Sequence, residues 1–107
     1  MSDLKLTQLK QTVAVTGTAV PLSSTSLKVQ SLIIIADSSN TGTIYIGDSA
    51  VDAPTRLGIP LVASQDVTVD PTEYFGTDEL IDLKNIYMDS SASGDSVNVS
   101  YYTREVN

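Results

Sequence analysis

The apolar residues of this chain come in short runs, each closed by turn residues within a few positions. Asn40-Thr-Gly-Thr-Ile-Tyr-Ile-Gly-Asp48 is the clearest case, and Asn85-Ile-Tyr-Met-Asp-Ser90 repeats its centre. Each has Ile-Tyr at its heart and Gly, Asp, Asn or Ser at its borders, the residues that turn a chain. Runs of this kind form strands, and neither carries a catalytic group.

The same reading extends along the sequence. Thr12-Val-Ala-Val-Thr16 alternates polar and apolar residues, as a half-buried strand does. Ala19-Val-Pro-Leu22 is short, and Pro21 restricts it to an edge or a strand end. Lys28 to Ala36 is the strongest strand; its β-branched end predicts burial on both faces. Asp37 to Gly42 is dense in turn residues and predicts a hairpin with Thr43 to Ile46. Leu57 to Val62, broken by Gly58 and Pro60, reads as short edge pieces, and Asp66 to Asp70 as a strand stopped by Pro71. Thr77 to Leu83 reads as one helical turn or a strand. Ile86 to Met88 and Val97 to Thr103 complete the set, joined by a turn at Asp89 to Asp95.

Seven to nine short strands at close spacing predict one all-β domain, a small jelly-roll-like β-sandwich with at most one short helical turn. Residues 1–12 are an N-terminal arm or edge strand, and residues 13–107 form the sandwich. Residues 1–12 hold Lys5 and Lys10 against Asp3, whereas the rest of the chain has twelve acidic and four basic residues. That contrast leaves two readings of the first segment: a plain strand or frayed end, or an arm that docks on an acidic neighbour.

Composition excludes much chemistry. There is no Cys and no His, so disulfides, thiol catalysis, Cys-based zinc sites and Ser-His-Asp machinery are absent. The net charge of −7 makes the chain a poor nucleic-acid binder. No apolar run approaches a membrane span, and Met1-Ser-Asp-Leu-Lys lacks the core of a signal peptide, so synthesis in the cytoplasm is expected. Asp far outnumbers Glu, which suits turns better than helix surfaces.

Three candidate chemistries were weighed. Asp37-x-Ser39-x-Thr41-Gly42 with Asp48, and Asp89-x-Ser91-x-Ser93-Gly94, partly match calcium-loop spacing. Both lack the inner acids and the final bidentate Glu, so they read as ordinary turns, and no metal or cofactor is expected. The acid pairs Asp48 with Asp52, Asp66 with Asp70 and Asp78 with Glu79 are compatible in type with glycoside hydrolysis. The chain has no Trp for a sugar platform, and these acids read as solvated loop residues. Asn98-Val-Ser100 matches a glycosylation sequon but lies in a predicted strand and is given no role. Tyr45 and Tyr87 face away from their flanking Ile residues, either packed at the rim or forming an exposed aromatic patch for a subunit interface. Tyr101 and Tyr102 point to opposite faces, which predicts that one of them is core.

The order of the pieces resembles small β-sandwich proteins of tailed bacteriophage particles. The likeness covers roughly residues 26–102. It rests on Gly42-Thr-Ile-Tyr-Ile-Gly-Asp48, Gly58-Ile-Pro-Leu-Val62 with Asp66-Val-Thr-Val69, Asn85-Ile-Tyr-Met88 and Ser96-Val-Asn-Val-Ser-Tyr-Tyr102. Ala63-Ser-Gln65 stands where those proteins often have a Pro-Gly turn. The resemblance implies a non-enzymatic virion component on the capsid exterior: a decoration or cement protein, trimeric, bound to the major capsid protein. The alternative is a receptor- or carbohydrate-binding module of a tail or spike. No catalytic residue carries over. Hydrophobicity and position nominate Leu4, Leu6, Leu9, Tyr45 and Tyr87 as interface residues.

Overall fold

The computed structural model describes residues 2–70 and 80–106, with side chains over 5–70 and 80–103. It is all-β. The strands are β1 (Ser2–Thr12), β2 (Val20–Pro21), β3 (Lys28–Val29), β4 (Ser31–Ala36), β5 (Ile44–Gly47), β6 (Ile59–Leu61), β7 (Asp66–Val69), β8 (Ile81–Asp82), β9 (Tyr87–Ser90) and β10 (Ser96–Val106). One 3-10 turn, Leu83–Asn85, separates β8 from β9. Ten strands exceed the seven to nine expected because two of them are interrupted, at Gln30 and at the 3-10 turn.

Two antiparallel four-stranded sheets run β1-β10-β4-β7 and β2-β9-β5-β6; β3 and β8 pair separately. Apart from the detached β3–β8 pair, the chain changes sheet at each step except β5 to β6. That strand order is the jelly roll. It follows that the turns at Asp37 to Gly42 and Asp89 to Asp95 do not close hairpins. Each carries the chain across the sandwich, from β4 to β5 and from β9 to β10. The two Ile-Tyr strands, β5 and β9, instead lie side by side, with Tyr45 paired to Asp89 and Ile46 to Met88.

Alternation decides what is buried. Leu32, Ile34 and Ala36 of β4 and Val97, Val99 and Tyr101 of β10 point inward. They meet Ile44, Ile46, Leu61 and Met88 from the second sheet in one core, together with Val13, Leu22, Val29 and Leu83. Each such side chain contributes about 1.5–3 kcal/mol when fully buried. Tyr101 is thus the core member of its pair, and Tyr102 faces outward.

Three sequence expectations shift. The strand expected at 12–16 ends at Thr12, because β1 pairs with β10 over its whole length, from Ser2 with Val106 to Thr12 with Ser96. The β-branched run is not buried on both faces: Ile33 and Ile35 are exposed on the outside of β4. Of Thr77 to Leu83, read as a helical turn or a strand, Ile81–Asp82 form strand β8, and a 3-10 turn follows at Leu83–Asn85, capped by Asp82, which accepts from the Lys84 N–H. Thr77, Asp78 and Glu79 fall outside the described residues.

Candidate functional site: two outer faces

The outer face of the second sheet is covered by the chain itself. Tyr45, Tyr87 and Asp89 point away from the core there. Residues 48–58, the long β5–β6 connection, fold back over them. Val51 and Ala53 join Tyr45 in a second buried cluster, with Ala19 and Tyr87 packed against it. The close approach requires glycine: a Cβ on Gly58 (φ +135°) would lie 2.7 Å from Val51 Cγ2 and 3.1 Å from Tyr45 Cβ. Under this cover Asp89 is fully buried. Its Oδ1 accepts from the backbone N–H groups of Gly17 (3.0 Å) and Ser90 (2.8 Å), and its Oδ2 from that of Ala53 (2.8 Å). One carboxylate therefore pins two loops to the sheet, with charge-assisted bonds offsetting its desolvation.

Asp95 works similarly where the chain crosses between sheets. Its carboxylate accepts from the N–H groups of Thr41 and Gly42 and from Ser90 Oγ at 2.9 Å. Asp37 accepts from the hydroxyl and N–H of Ser39 and from Asn98 Nδ2, with Lys10 Nζ 3.9 Å away. The Ser39 hydroxyl is the largest influence, and together these contacts hold the Asp37 carboxyl down to about 2. At the end of β8, Asp82 accepts from Ser26 Oγ and from the N–H groups of Leu27 and Lys84, which lowers its pKa in the same way. The acids of the two calcium-like spacings, Asp37, Asp48 and Asp89, thus each accept hydrogen bonds from protein donors. Among the described residues no group of three or more His, Cys, Asp or Glu is placed to hold a metal ion.

The first sheet is the opposite case. Its outer face carries Leu6, Gln8 and Lys10 from β1; Asn98, Ser100 and Tyr102 from β10; Ser31, Ile33 and Ile35 from β4; and Asp66 and Thr68 from β7. Leu6 is 55% exposed, Tyr102 40%, and Ile33 and Ile35 each 36%. A hollow of about 320 Å³ lies among Leu6, Ser31, Ile33, Thr68, Asp70 and Tyr102. These four apolar side chains sit among polar ones, and exposed apolar surface on a sheet face is a feature of interaction sites.

No known protein family matches the chain, and no curated protein matches it. The site therefore rests on its own geometry.

That geometry separates the nominated interface residues. Leu6 is on the open face. Leu9 points inward and packs against the core. Tyr45 lies beneath Val51 and Ala53 at 8% exposure, so the expected exposed patch does not include it, and Tyr87 is half-buried beside it. Leu4 pairs with Arg104 in the β1–β10 ladder, and its side chain is outside those described. Ile33, Ile35 and Tyr102 were not nominated. Their signal was the alternation of Leu32 to Ala36 and of Val97 to Tyr102, which puts every second residue outside.

A second feature projects from the same sheet. Beyond Tyr102, β10 leaves β4 and pairs only with β1, Thr103 to Val106 against Ser2 to Lys5. This two-stranded ribbon extends the sheet by about 13 Å at the usual strand rise. The molecule is 45 Å long and 23 Å across.

Proposed function

We propose that this chain is a non-enzymatic structural protein of a phage particle, a capsid decoration protein that binds the major capsid protein of the assembled shell. The observation that carries the reading is the asymmetry of the jelly roll: one outer face sealed by buried carboxylate contacts, the other open and apolar beside a projecting ribbon. A rigid module with one adhesive side suits a lattice component. The resemblance of the Ile-Tyr strands to phage particle proteins points the same way. Binding the assembled shell and not its dissociated subunits would stabilise the shell by mass action, to an extent set by affinity and concentration.

Quantitative mass spectrometry of purified particles of the source phage tests the proposal. Hundreds of copies per particle support decoration. A handful moves the chain to a spike or tail, and absence from the particle overturns the virion reading.

One observation favours a second reading, a receptor- or carbohydrate-binding module. The hollow combines the Tyr102 ring with the polar residues Ser31, Thr68 and Asp70, groups suited to stacking on and hydrogen bonding a sugar. Binding of the isolated chain to a glycan array, lost in Tyr102→Ala, would favour it over decoration.

A further inference from the structure

We propose that the open face of the first sheet is a self-recognition surface, on which two copies of this chain pack face to face about a two-fold axis parallel to the strands. The argument comes from the register. One row of outward residues runs Lys10, Asn98, Ile35, Asp66 across the sheet, from the β1 edge to the β7 edge. The row is basic at one edge, neutral in the middle and acidic at the other. The next row runs Gln8, Ser100, Ile33, Thr68, and the third runs Leu6, Tyr102, Ser31.

A two-fold axis along the midline between β10 and β4 lays β1 of one copy over β7 of the other and keeps each row in place. Lys10 then faces Asp66 of the second copy, and by symmetry the pair forms twice. Both side chains are exposed in the single chain, Asp66 at the surface of β7 and Lys10 at 57%. Lys10 has only the 3.9 Å contact to Asp37, a spacing that leaves it free to reach across. In the centre, Tyr102 of one copy faces Ser31 of the other, over the rim of the 320 Å³ hollow. Sheets stacked this way sit about 10 Å apart with a twist near −30°, and the long Lys10 stem absorbs the resulting offset at the edge.

The face is small. Four strands about 4.8 Å apart and six residues long give a footprint of roughly 400 Å² per copy. That is about 800 Å² in total, below the roughly 1,000 Å² of a stable interface, so the dimer is expected to be weak and to form only at high concentration. The axis direction has a second consequence. Rotation about a line parallel to the strands leaves strand direction unchanged, so both β1–β10 ribbons project from the same end. A pair of copies would present two ribbons to one surface, with the gain in avidity that such linkage brings.

The test is sedimentation velocity of the isolated full-length chain over a wide concentration range, and it makes no use of shells. The wild-type chain is expected to shift from monomer to dimer. Lys10→Glu and Asp66→Lys are each expected to weaken the dimer about tenfold or more, because each replaces two attractions with two repulsions. The double variant Lys10→Glu with Asp66→Lys is expected to dimerise again. Circular dichroism melts establish that each variant folds, and Ile35→Lys, which leaves Asp37 and Lys10 in place, is expected to be monomeric. A chain that stays monomeric throughout overturns the proposal. So does a trimer, or a dimer that single charge reversals leave intact or the double variant fails to restore.

Discussion

The two outer faces of this jelly roll are built from the same kind of alternating strand and meet opposite fates. On the second sheet, Tyr45, Tyr87 and Asp89 face outward and are roofed by residues 48–58 and by the loop holding Gly17. On the first, Ile33, Ile35, Leu6 and Tyr102 face outward, and no described segment roofs them. Among the described connections, the β5–β6 link is long enough to fold back, whereas β4 to β5 and β9 to β10 are joined by short turns that cross the sandwich. Among the described residues, one sheet is sealed from within and the other stays open.

That contrast predicts where substitution hurts. The largest effect is expected at Asp89. Asp89→Ala leaves the N–H groups of Gly17, Ser90 and Ala53 without their acceptor in a buried site. Urea unfolding is expected to register a loss of about 3 kcal/mol or more. A loss below about 1 kcal/mol would mean that the roof opens and water replaces the carboxylate.

Gly58→Ala comes next. The added Cβ meets Val51 Cγ2 at 2.7 Å and the Ile46 carbonyl oxygen at 3.0 Å, at a φ that favours glycine. The expected cost is about 2 kcal/mol, read from the same unfolding curves. Quenching or labelling of Tyr45 is expected to rise with it as the roof lifts.

The contribution of Asp37 is smaller and depends on pH. Its folded pKa, about 2, lies below the ordinary carboxyl value of 3.8, so its stabilisation is present above 3.8 and is lost as pH falls towards 2. Stability measured through that window is expected to drop more steeply for the wild-type chain than for Asp37→Asn. Parallel curves would remove Asp37 from the account.

The smallest effect belongs to the open face. Ile33→Thr is expected to change the stability of the dilute chain by no more than about 0.5 kcal/mol, since its side chain lies on the outer face, partly exposed and outside the core cluster. A large loss would show that the face is supported from within the chain after all.

Much of this was legible in the sequence. Ile-Tyr-Ile between Gly residues marks a strand wherever it sits, and the adjacent Tyr101 and Tyr102 announce that one tyrosine is core. Pro21 and Pro60 correctly marked edge strands, since β2 and β6 are the edges of the second sheet. What local pattern does not encode is which sheet a strand joins. The turn chemistry of Asp37 to Gly42 is the same whether the chain doubles back or crosses the sandwich, and only the pairing of β4 with β10 decides it. Residues 1–12, read as an arm or edge strand, form the edge strand β1, but Leu6 and Leu9 point to opposite faces, so its alternation becomes readable only against β10. The roof over Tyr45 left a fainter mark: Gly47 and Gly58 bracket a loop that touches the strand through Val51. Outwardness was deducible from alternation, but exposure was not. The open face was hidden for the converse reason, since a run of three Ile residues reads as buried on both sides.

Hydroxyl-radical footprinting of the tyrosines tests the contrast most directly. In the dilute chain Tyr102 is expected to be modified quickly and Tyr45 slowly. On concentration Tyr102 is expected to become protected while Tyr45 stays as it was. Equal modification of the two in the dilute chain would contradict the sealed face, and a Tyr102 that stays reactive under every condition would contradict the open one as a contact surface.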